Sequence, residues 1–182
     1  MNLVLLYSGG LESRFLLDLA IKLQYHPFCV LVDYGQNHVE ELKKAVEVCE
    51  TLQIPYTIIR VDWNINSKLT GSQKETYDGV SQWYVPARNL LFISLAAGVA
   101  ESMQISTIWI GASYSDRVNR FPDTTQDFIV SINETLAISL STSVQVVAPL
   151  LGMPKELITR AIQCTTEIII NNEIFSGYGN NE

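Results

Sequence analysis

Short apolar runs alternate with longer amphipathic runs along most of this chain. The first apolar run, Asn2 to Tyr7, stops at a glycine pair and is followed by apolar residues at three- and four-residue spacings up to Leu23. A short, wholly apolar run predicts a buried strand, and the helical spacing predicts a helix with one face on a core. The same pair of patterns recurs downstream, so we expect repeated βα units.

The pattern predicts five strands and five helices. The strands are expected at residues 2–7, 28–33, 56–61, 107–111 and 144–147. The helices are expected after the glycine pair to 23, from 39 to 52, from 87 or 88 to about 103, from 123 to about 140, and from Pro154 onward. Repeated βα units imply a doubly wound, mostly parallel sheet with helices on both faces and ligands above the carboxyl ends of the strands. We therefore expect a single α/β, Rossmann-like domain over residues 1–182.

Two segments depart from this pattern. Residues 62–84 are polar with little periodicity, which is typical of a functional loop such as a lid over the site, or of a disordered excursion. Residues 163–182 form a C-terminal tail with apolar residues that include 168–170. Such a tail must pack on its own sheet or across a two-fold axis.

Composition and charge argue against nucleic-acid-binding and membrane proteins. The chain has 182 residues, 47% of them apolar, and a net charge of −7, which argues against broad binding to nucleic acid. Its apolar runs are too short for a signal peptide or a transmembrane helix, so no membrane partner is expected. Cys29, Cys49 and Cys164 are odd in number and widely spaced, which indicates free thiols in a reducing, cytoplasmic compartment.

The strongest chemical signal is Ser8-Gly9-Gly10-Leu11-Glu12-Ser13, directly after the first strand. Glycines at a strand-to-helix turn let the backbone approach a ligand, and the helix N-terminus attracts negative charge. No lysine follows as in a Walker loop, and the dinucleotide-binding G-x-G-x-x-G pattern is absent. The sequence therefore favours a phosphate loop of another kind, the alternative being a plain glycine turn with a serine cap.

This S-G-G-x-[D/E]-S pattern resembles the pyrophosphate loop of ATP pyrophosphatases, which use ATP to adenylate a carbonyl or carboxylate oxygen. Four later segments make the resemblance more specific: residues 33–41 (D-Y-G-Q-N-H-V-E-E), 85–89 (V-P-A-R-N), 121–123 (F-P-D) and 149–158 (P-L-L-G-M-P-K-E-L-I). Together they resemble the 7-cyano-7-deazaguanine synthase family over about residues 2–162.

The resemblance implies an adenine nucleotide alpha-hydrolase-like fold and a homodimer. It also implies a ligase that converts 7-carboxy-7-deazaguanine and ammonia into the 7-cyano product, using ATP and Mg²⁺, through an adenylated carboxylate and an amide. The product feeds queuosine biosynthesis, so the expected partners are small molecules. Two alternatives remain open: a related enzyme that stops at the amide or makes another conjugate, and a non-catalytic module that binds a nucleotide or a deazaguanine.

The resemblance and the chemistry assign residues to three roles. The nucleotide-binding residues are Tyr7, Ser8, Gly9, Gly10, Leu11, Glu12, Ser13, Asp33, Tyr34, Gly35, Gln36, Arg88, Asn89 and Gly111. The catalytic residues are Ser13, His38, Arg88 and Lys155. The substrate-binding residues are Asp116, Phe121 and Asp123. Hydroxyl donors and a guanidinium suit the charge that grows on pyrophosphate, and Glu12 is a candidate Mg²⁺ ligand.

Each catalytic assignment has a structural alternative. Arg88 is also suited to capping a helix or pairing with Asp33. Lys155 is also typical of a solvated surface lysine, and His38 of a capping or packing residue at a helix start.

The chain departs from the family pattern at several positions. Glu12 replaces an aspartate, and Ala87 replaces a glycine, which is tolerable only if that backbone does not need a positive φ. Residues 115–125 lack the usual Cys-Arg pair. The family's four-cysteine zinc region has no counterpart here, and Gly177 stands where its first cysteine is expected. We therefore expect no zinc site.

Overall fold

The structure is a computed structural model that describes residues 1–36, 39–62, 84–113, 121–154 and 156–162. Its strands are β1 (Asn2–Leu6), β2 (His26–Asp33), β3 (Tyr56–Arg60), β4 (Thr107–Trp109) and β5 (Gln145–Val147). Its helices are α1 (Leu11–Lys22), α2 (Val39–Thr51), α3 (Arg88–Ser102), α4 (Gln126–Ser139) and α5, which covers residues 156–162.

The five strands form one parallel sheet in the order β3-β2-β1-β4-β5. The chain runs outward from β1 through β2 to β3, then crosses to the other side of β1 for β4 and β5. The connection therefore reverses direction between β1 and β4. In open α/β sheets, ligands bind at the carboxyl ends of the strands beside such a switch point.

Helices cover both faces of the sheet. Leu3 and Leu5 of β1 pack in one apolar cluster with Leu16 of α1 and Ala45 of α2. The alternate side chain Val4 packs on the opposite face with residues of α3 and α4. This alternation follows from the period of two along a strand, and it confirms the predicted doubly wound α/β fold.

The fourth predicted helix is divided in the structure. A short 3₁₀ turn spans Pro122–Thr124, and α4 begins only at Gln126, after an extended Thr125. The Thr125 hydroxyl accepts a hydrogen bond from Phe128 N at 3.1 Å, and this side-chain cap fixes where the helix begins. The helix boundary predicted at Asp123 was therefore wrong by one short turn.

The edge strand β5 has a side-chain partner on α4. Asn133 Nδ2 donates to the Val146 carbonyl at 2.9 Å, and Asn133 Oδ1 accepts from Val146 N at 2.7 Å. The amide thus bonds both backbone groups of Val146, as a neighbouring strand would. None of the described helices is both long and apolar enough to cross a membrane.

Candidate active site

The turn between β1 and α1 brings Gly9 against the second helix. Gly9 has a φ of +83°, and a Cβ atom there would lie 2.6 Å from the Glu41 carbonyl oxygen and 3.1 Å from Ala45 Cβ. The first distance is far shorter than van der Waals contact with a backbone atom that cannot rotate away. Gly9 therefore has to be glycine, because the turn passes directly over α2.

Two serine hydroxyls hold the turn closed. Ser13 Oγ donates to the Gly10 carbonyl at 3.0 Å and accepts from Ser8 N at 3.3 Å, and it lies 3.1 Å from Ser8 Oγ. Gly10 N in turn donates to Ser8 Oγ at 3.3 Å. Ser13 is only 4% exposed. The hydroxyls therefore link the end of β1 to the first turn of α1.

The N-terminus of α1 has the properties of an anion site. Its N-cap residue is Gly10, so no side chain of that residue caps the helix. A helix N-terminus carries a partial positive charge, and its first amide groups are the ones available to a phosphate oxygen. The residues of the turn thus fit a phosphate group.

The end of β4 lies against the same turn. A Cβ atom on Gly111 would be 3.3 Å from both Ser13 N and Glu12 Cβ. The structure thus brings Gly111 and the half-buried Glu12 together with the turn at the switch point between β1 and β4. This is the part of the predicted nucleotide site that the described geometry assembles.

A buried polar group lies on the α1 and α2 face and was missed by the sequence analysis. Arg14 Nε is 3.1 and 3.2 Å from the two carboxylate oxygens of Asp18. Burial raises the pKa of Asp18, and the Arg14 charge opposes that rise. The two residues are four apart in a predicted helix, and this i,i+4 spacing of opposite charges could have predicted the ion pair.

The neighbouring Tyr7 and Cys29 are also buried. Burial raises the pKa of Tyr7 above its ordinary value. A hydrogen bond with Cys49, together with burial, raises the pKa of Cys29. Both cysteines are free thiols, and they pack in the same apolar cluster as Tyr7.

Residues 33–36, after β2, form a turn bonded within itself. Asp33 Oδ1 accepts from Gly35 N at 3.4 Å, and Tyr34 N donates to Gln36 Oε1 at 3.0 Å. Asp33 Oδ2 lies 3.9 Å from Arg60 Nε on β3. Among the ion pairs of the described residues, the partner of Asp33 is therefore Arg60, not Arg88.

The backbone before α3 corrects one expectation. Ala87 has a φ of +56° and a ψ of +20°, the left-handed conformation that glycine adopts at least cost. Alanine was expected to be tolerated here only if no positive φ was needed, and the structure has a positive φ at this position. Arg88 then begins α3, and its N–H donates to the Val85 carbonyl at 3.2 Å.

Asn89 and Asp123, both assigned to ligands from the sequence, bond to each other. Asn89 N donates to Asp123 Oδ2 at 2.9 Å, and Asn89 Nδ2 donates to the Asp123 carbonyl at 3.1 Å. Asp123 is 7% exposed. Phe121, which was also predicted to bind the substrate, stacks on Tyr84 with ring centroids 6.0 Å apart.

Three predicted site residues lie outside the described residues: His38, Lys155 and Asp116. The same holds for most of the predicted lid at 62–84 and for the tail at 163–182. Within the described ranges, no group of three or more histidine, cysteine, aspartate or glutamate residues is arranged to hold a metal ion. The predictions for these residues and for zinc stay predictions.

A further cavity follows the end of β5. It has a volume of about 400 Å³, and its lining includes Ala148, Leu151, Met153 and Leu157. Leu157 belongs to α5 and is one of the exposed large apolar residues. None of the described residues that line it belongs to the glycine turn at 8–13.

Comparison with known proteins identifies the family. The sequence model described as "Queuosine biosynthesis protein QueC" matches residues 2–182. The chain belongs to this family. The 7-cyano-7-deazaguanine synthase of Pseudoalteromonas translucida is 30% identical over 164 residues, which cover 85% of this chain and 74% of the relative. The enzyme of the same name from Methanosphaera stadtmanae is 33% identical over 171 residues, which cover 84% of this chain and 74% of the relative. These findings confirm the resemblance drawn from the motifs.

Solved structures show that the QueC-family chain shares its fold with proteins of other names. A predicted subunit of tRNA methyltransferase from Methanocaldococcus jannaschii superposes with a TM-score of 0.61 at 22% identity, covering 96% of this chain and 79% of the other. The NH3-dependent NAD synthetase of Campylobacter jejuni superposes with a TM-score of 0.55 at 15% identity, covering 91% and 64%. At these identities the likeness concerns the fold alone.

Proposed function

We propose that this chain is an ATP-dependent ligase that converts 7-carboxy-7-deazaguanine and ammonia into 7-cyano-7-deazaguanine. Membership of the QueC family supports this activity, as do relatives that carry the name 7-cyano-7-deazaguanine synthase. The observation that carries the proposal is the serine-lined turn at 8–13, which lies at the switch point of the sheet with an N-terminus suited to phosphate.

The chemistry accounts for a phosphate site at this position. The oxygen of a carboxylate is a poor leaving group, and attaching AMP to it makes a good one. Charge then grows on the departing pyrophosphate. Fixed donors such as the first amide groups of α1 stabilise that charge without having to reorganise. The Ser13 hydroxyl, which donates to the Gly10 carbonyl, holds the turn that presents them.

Two charged residues have complementary tasks in the proposal. Glu12 lies beside Gly111 at the start of α1, where a carboxylate would bind Mg²⁺ together with phosphate oxygens. Arg88 begins α3, and its forked guanidinium suits a phosphate or the substrate carboxylate. Ammonia then attacks the activated carboxyl carbon and displaces AMP to give the amide. A second ATP adenylates the amide oxygen and releases pyrophosphate, and loss of that oxygen as AMP, with both N–H protons, gives the nitrile.

The product of the reaction tests the proposal. The purified chain would be incubated with ATP, Mg²⁺, ammonium and 7-carboxy-7-deazaguanine, and the products measured by mass spectrometry. We expect a mass corresponding to the nitrile, with the amide as an intermediate at short times. Accumulation of the amide alone would show that the enzyme stops one step earlier. Bound ligand with no product would contradict catalysis and favour a binding module.

A matched pair of variants links turnover to the turn. Ser13→Ala removes the hydroxyl that bridges Ser8 and Gly10, and we expect it to abolish turnover. Ser131→Ala changes an exposed serine of α4 on the far side of the fold, and should leave turnover unchanged. Equal activity of both variants would contradict the proposed role of the turn.

A further inference from the structure

We propose that Asp123 is a positioning residue for Arg88, acting through Asn89 at the N-terminus of α3, and not a group that contacts the substrate. This inference rests on the proposed function, because it assigns a role within the same site. It replaces the substrate contact that the sequence suggested for Asp123. Four sets of contacts among the described residues support it.

The first step is that α3 begins without a local cap. Its N-cap residue is Ala87, which has no side-chain acceptor and no cap hydrogen bond. The first N–H groups of a helix need acceptors from elsewhere. Ala87 is moreover held in the left-handed region, a conformation that an alanine leaves unless its surroundings fix it.

The second step is that Asp123 supplies the missing cap from 34 residues further along the chain. Its Oδ2 accepts from the N–H of Asn89, which is the second residue of α3. Side-chain caps usually bond the second or third N–H of a helix, and a negative charge there also interacts favourably with the helix dipole. The carboxylate therefore does what a local N-cap residue does in other helices.

The third step is that the contact is reciprocal. Asn89 Nδ2 donates back to the Asp123 carbonyl at 3.1 Å, so two hydrogen bonds join the same two residues through different atoms. With a single hydrogen bond Asn89 could still rotate about that bond, whereas two separated hydrogen bonds also fix its orientation relative to Asp123. Because Arg88 immediately precedes Asn89, its Cα is fixed as well.

The fourth step is that the turn carrying Asp123 is itself anchored. The buried Thr124 hydroxyl donates to the Phe121 carbonyl at 2.9 Å, and the Phe121 ring stacks on Tyr84, just before α3. The turn at 121–124 is thus tied to the segment at 84–89 at both of its ends. Helix α3 connects two parallel strands, so its N-terminus lies at the carboxyl edge of the sheet, where the glycine turn also lies.

The role predicts a specific set of variant effects. Asp123→Ala removes the cap, and a shift of about 1 Å at Arg88 is expected to lower kcat/KM by roughly 100-fold. Asp123→Asn keeps an oxygen that accepts from Asn89 N, so it should retain most of the activity. Asn89→Ala removes only the return hydrogen bond and should give an intermediate loss. Urea unfolding would check that each variant is folded.

The decisive test is coupling to Arg88. If Asp123 acts through Arg88, the double variant Asp123→Ala/Arg88→Ala should be no slower than Arg88→Ala alone. Additive losses would overturn the proposal. So would an Asp123→Asn variant that raises KM for the carboxylate as strongly as Asp123→Ala does, because that outcome means direct contact with the substrate.

A binding measurement separates this inference from the proposed function. Calorimetry with ATP alone reports on the site without requiring turnover. If the wild-type chain makes neither nitrile nor amide, but Asp123→Ala and Arg88→Ala weaken ATP binding non-additively, the proposed function fails and the positioning role stands. If turnover is present and the two effects add in both assays, the positioning role fails and the function stands.

Discussion

Gly9 and Gly10 are neighbours in the sequence, but the structure gives them different reasons to be glycine. Gly9 has a positive φ, and a Cβ atom there would lie 2.6 Å from the Glu41 carbonyl oxygen. A Cβ atom on Gly10 would meet only the Ser8 hydroxyl, at 3.3 Å. We expect Gly9→Ala to lower the free energy of unfolding by about 2 kcal/mol, from left-handed strain and from the clash together. Gly10→Ala should cost much less. Urea titration of both variants would check this, and equal losses would contradict it.

At position 87 we expect the opposite effect, with glycine more stable than alanine. Its left-handed backbone strains an alanine but not a glycine, so Ala87→Gly should raise the free energy of unfolding by about 0.5–1 kcal/mol. The matched control is Ala137→Gly, at an exposed position within α4, which should lower it by about 1 kcal/mol. Both are measured by chemical denaturation. A loss of stability in Ala87→Gly would mean that φ is not positive at this position.

Between elements, Asn133 acts as a substitute for a missing sixth strand. It bonds both backbone groups of Val146 on the edge strand β5, and leaving those part-buried groups unpaired is expected to cost roughly 1–3 kcal/mol. Asn133→Ala should therefore lower the free energy of unfolding by that amount. Thr135→Ala, which removes a bond within the exposed face of the same helix, should change it by less than about 0.5 kcal/mol. Similar losses for the two variants would remove this role of Asn133.

Glu101 connects α3 to the segment that follows α4. Its Oε1 accepts hydrogen bonds from Ser141 N, Ser141 Oγ and Thr142 N, and the bonds from Ser141 lower the pKa of the carboxyl below its ordinary value of 4.5. A lowered pKa in the folded state contributes stability above the unfolded pKa, and that stability is lost as the pH falls through the folded pKa. As the pH is lowered below 4.5, the urea concentration at the unfolding midpoint should thus decrease more steeply for the wild-type chain than for Glu101→Gln. Parallel pH profiles would contradict this.

Across the whole molecule, the features that could be predicted from the sequence are those that local patterns encode. The strands and helices around the glycine turn follow from apolar spacing, and the doubly wound sheet follows from their alternation. The contacts that define the site are not local. The reason for glycine at position 9 is the backbone of α2, and the cap of α3 comes from Asp123, 34 residues away from Asn89. No periodicity marks such partners, so the bond between Asp123 and Asn89 could not be predicted from local patterns.

Two expectations stay predictions: the homodimer, which comes from the family resemblance, and the absence of zinc. Each depends on the tail at 163–182, which lies outside the described residues. Light scattering at micromolar concentration tests the dimer, and elemental analysis of the purified protein tests for zinc.

If the turn at 8–13 serves adenylation, the nucleotide products of the reaction will show it. ATP labelled on the α- and γ-phosphates would be incubated with the chain, Mg²⁺, ammonium and 7-carboxy-7-deazaguanine. We expect AMP and pyrophosphate as products, formed only when the carboxylate is present and lost in Ser13→Ala. ADP and phosphate as the only products, or AMP formation that survives Ser13→Ala unchanged, would contradict it.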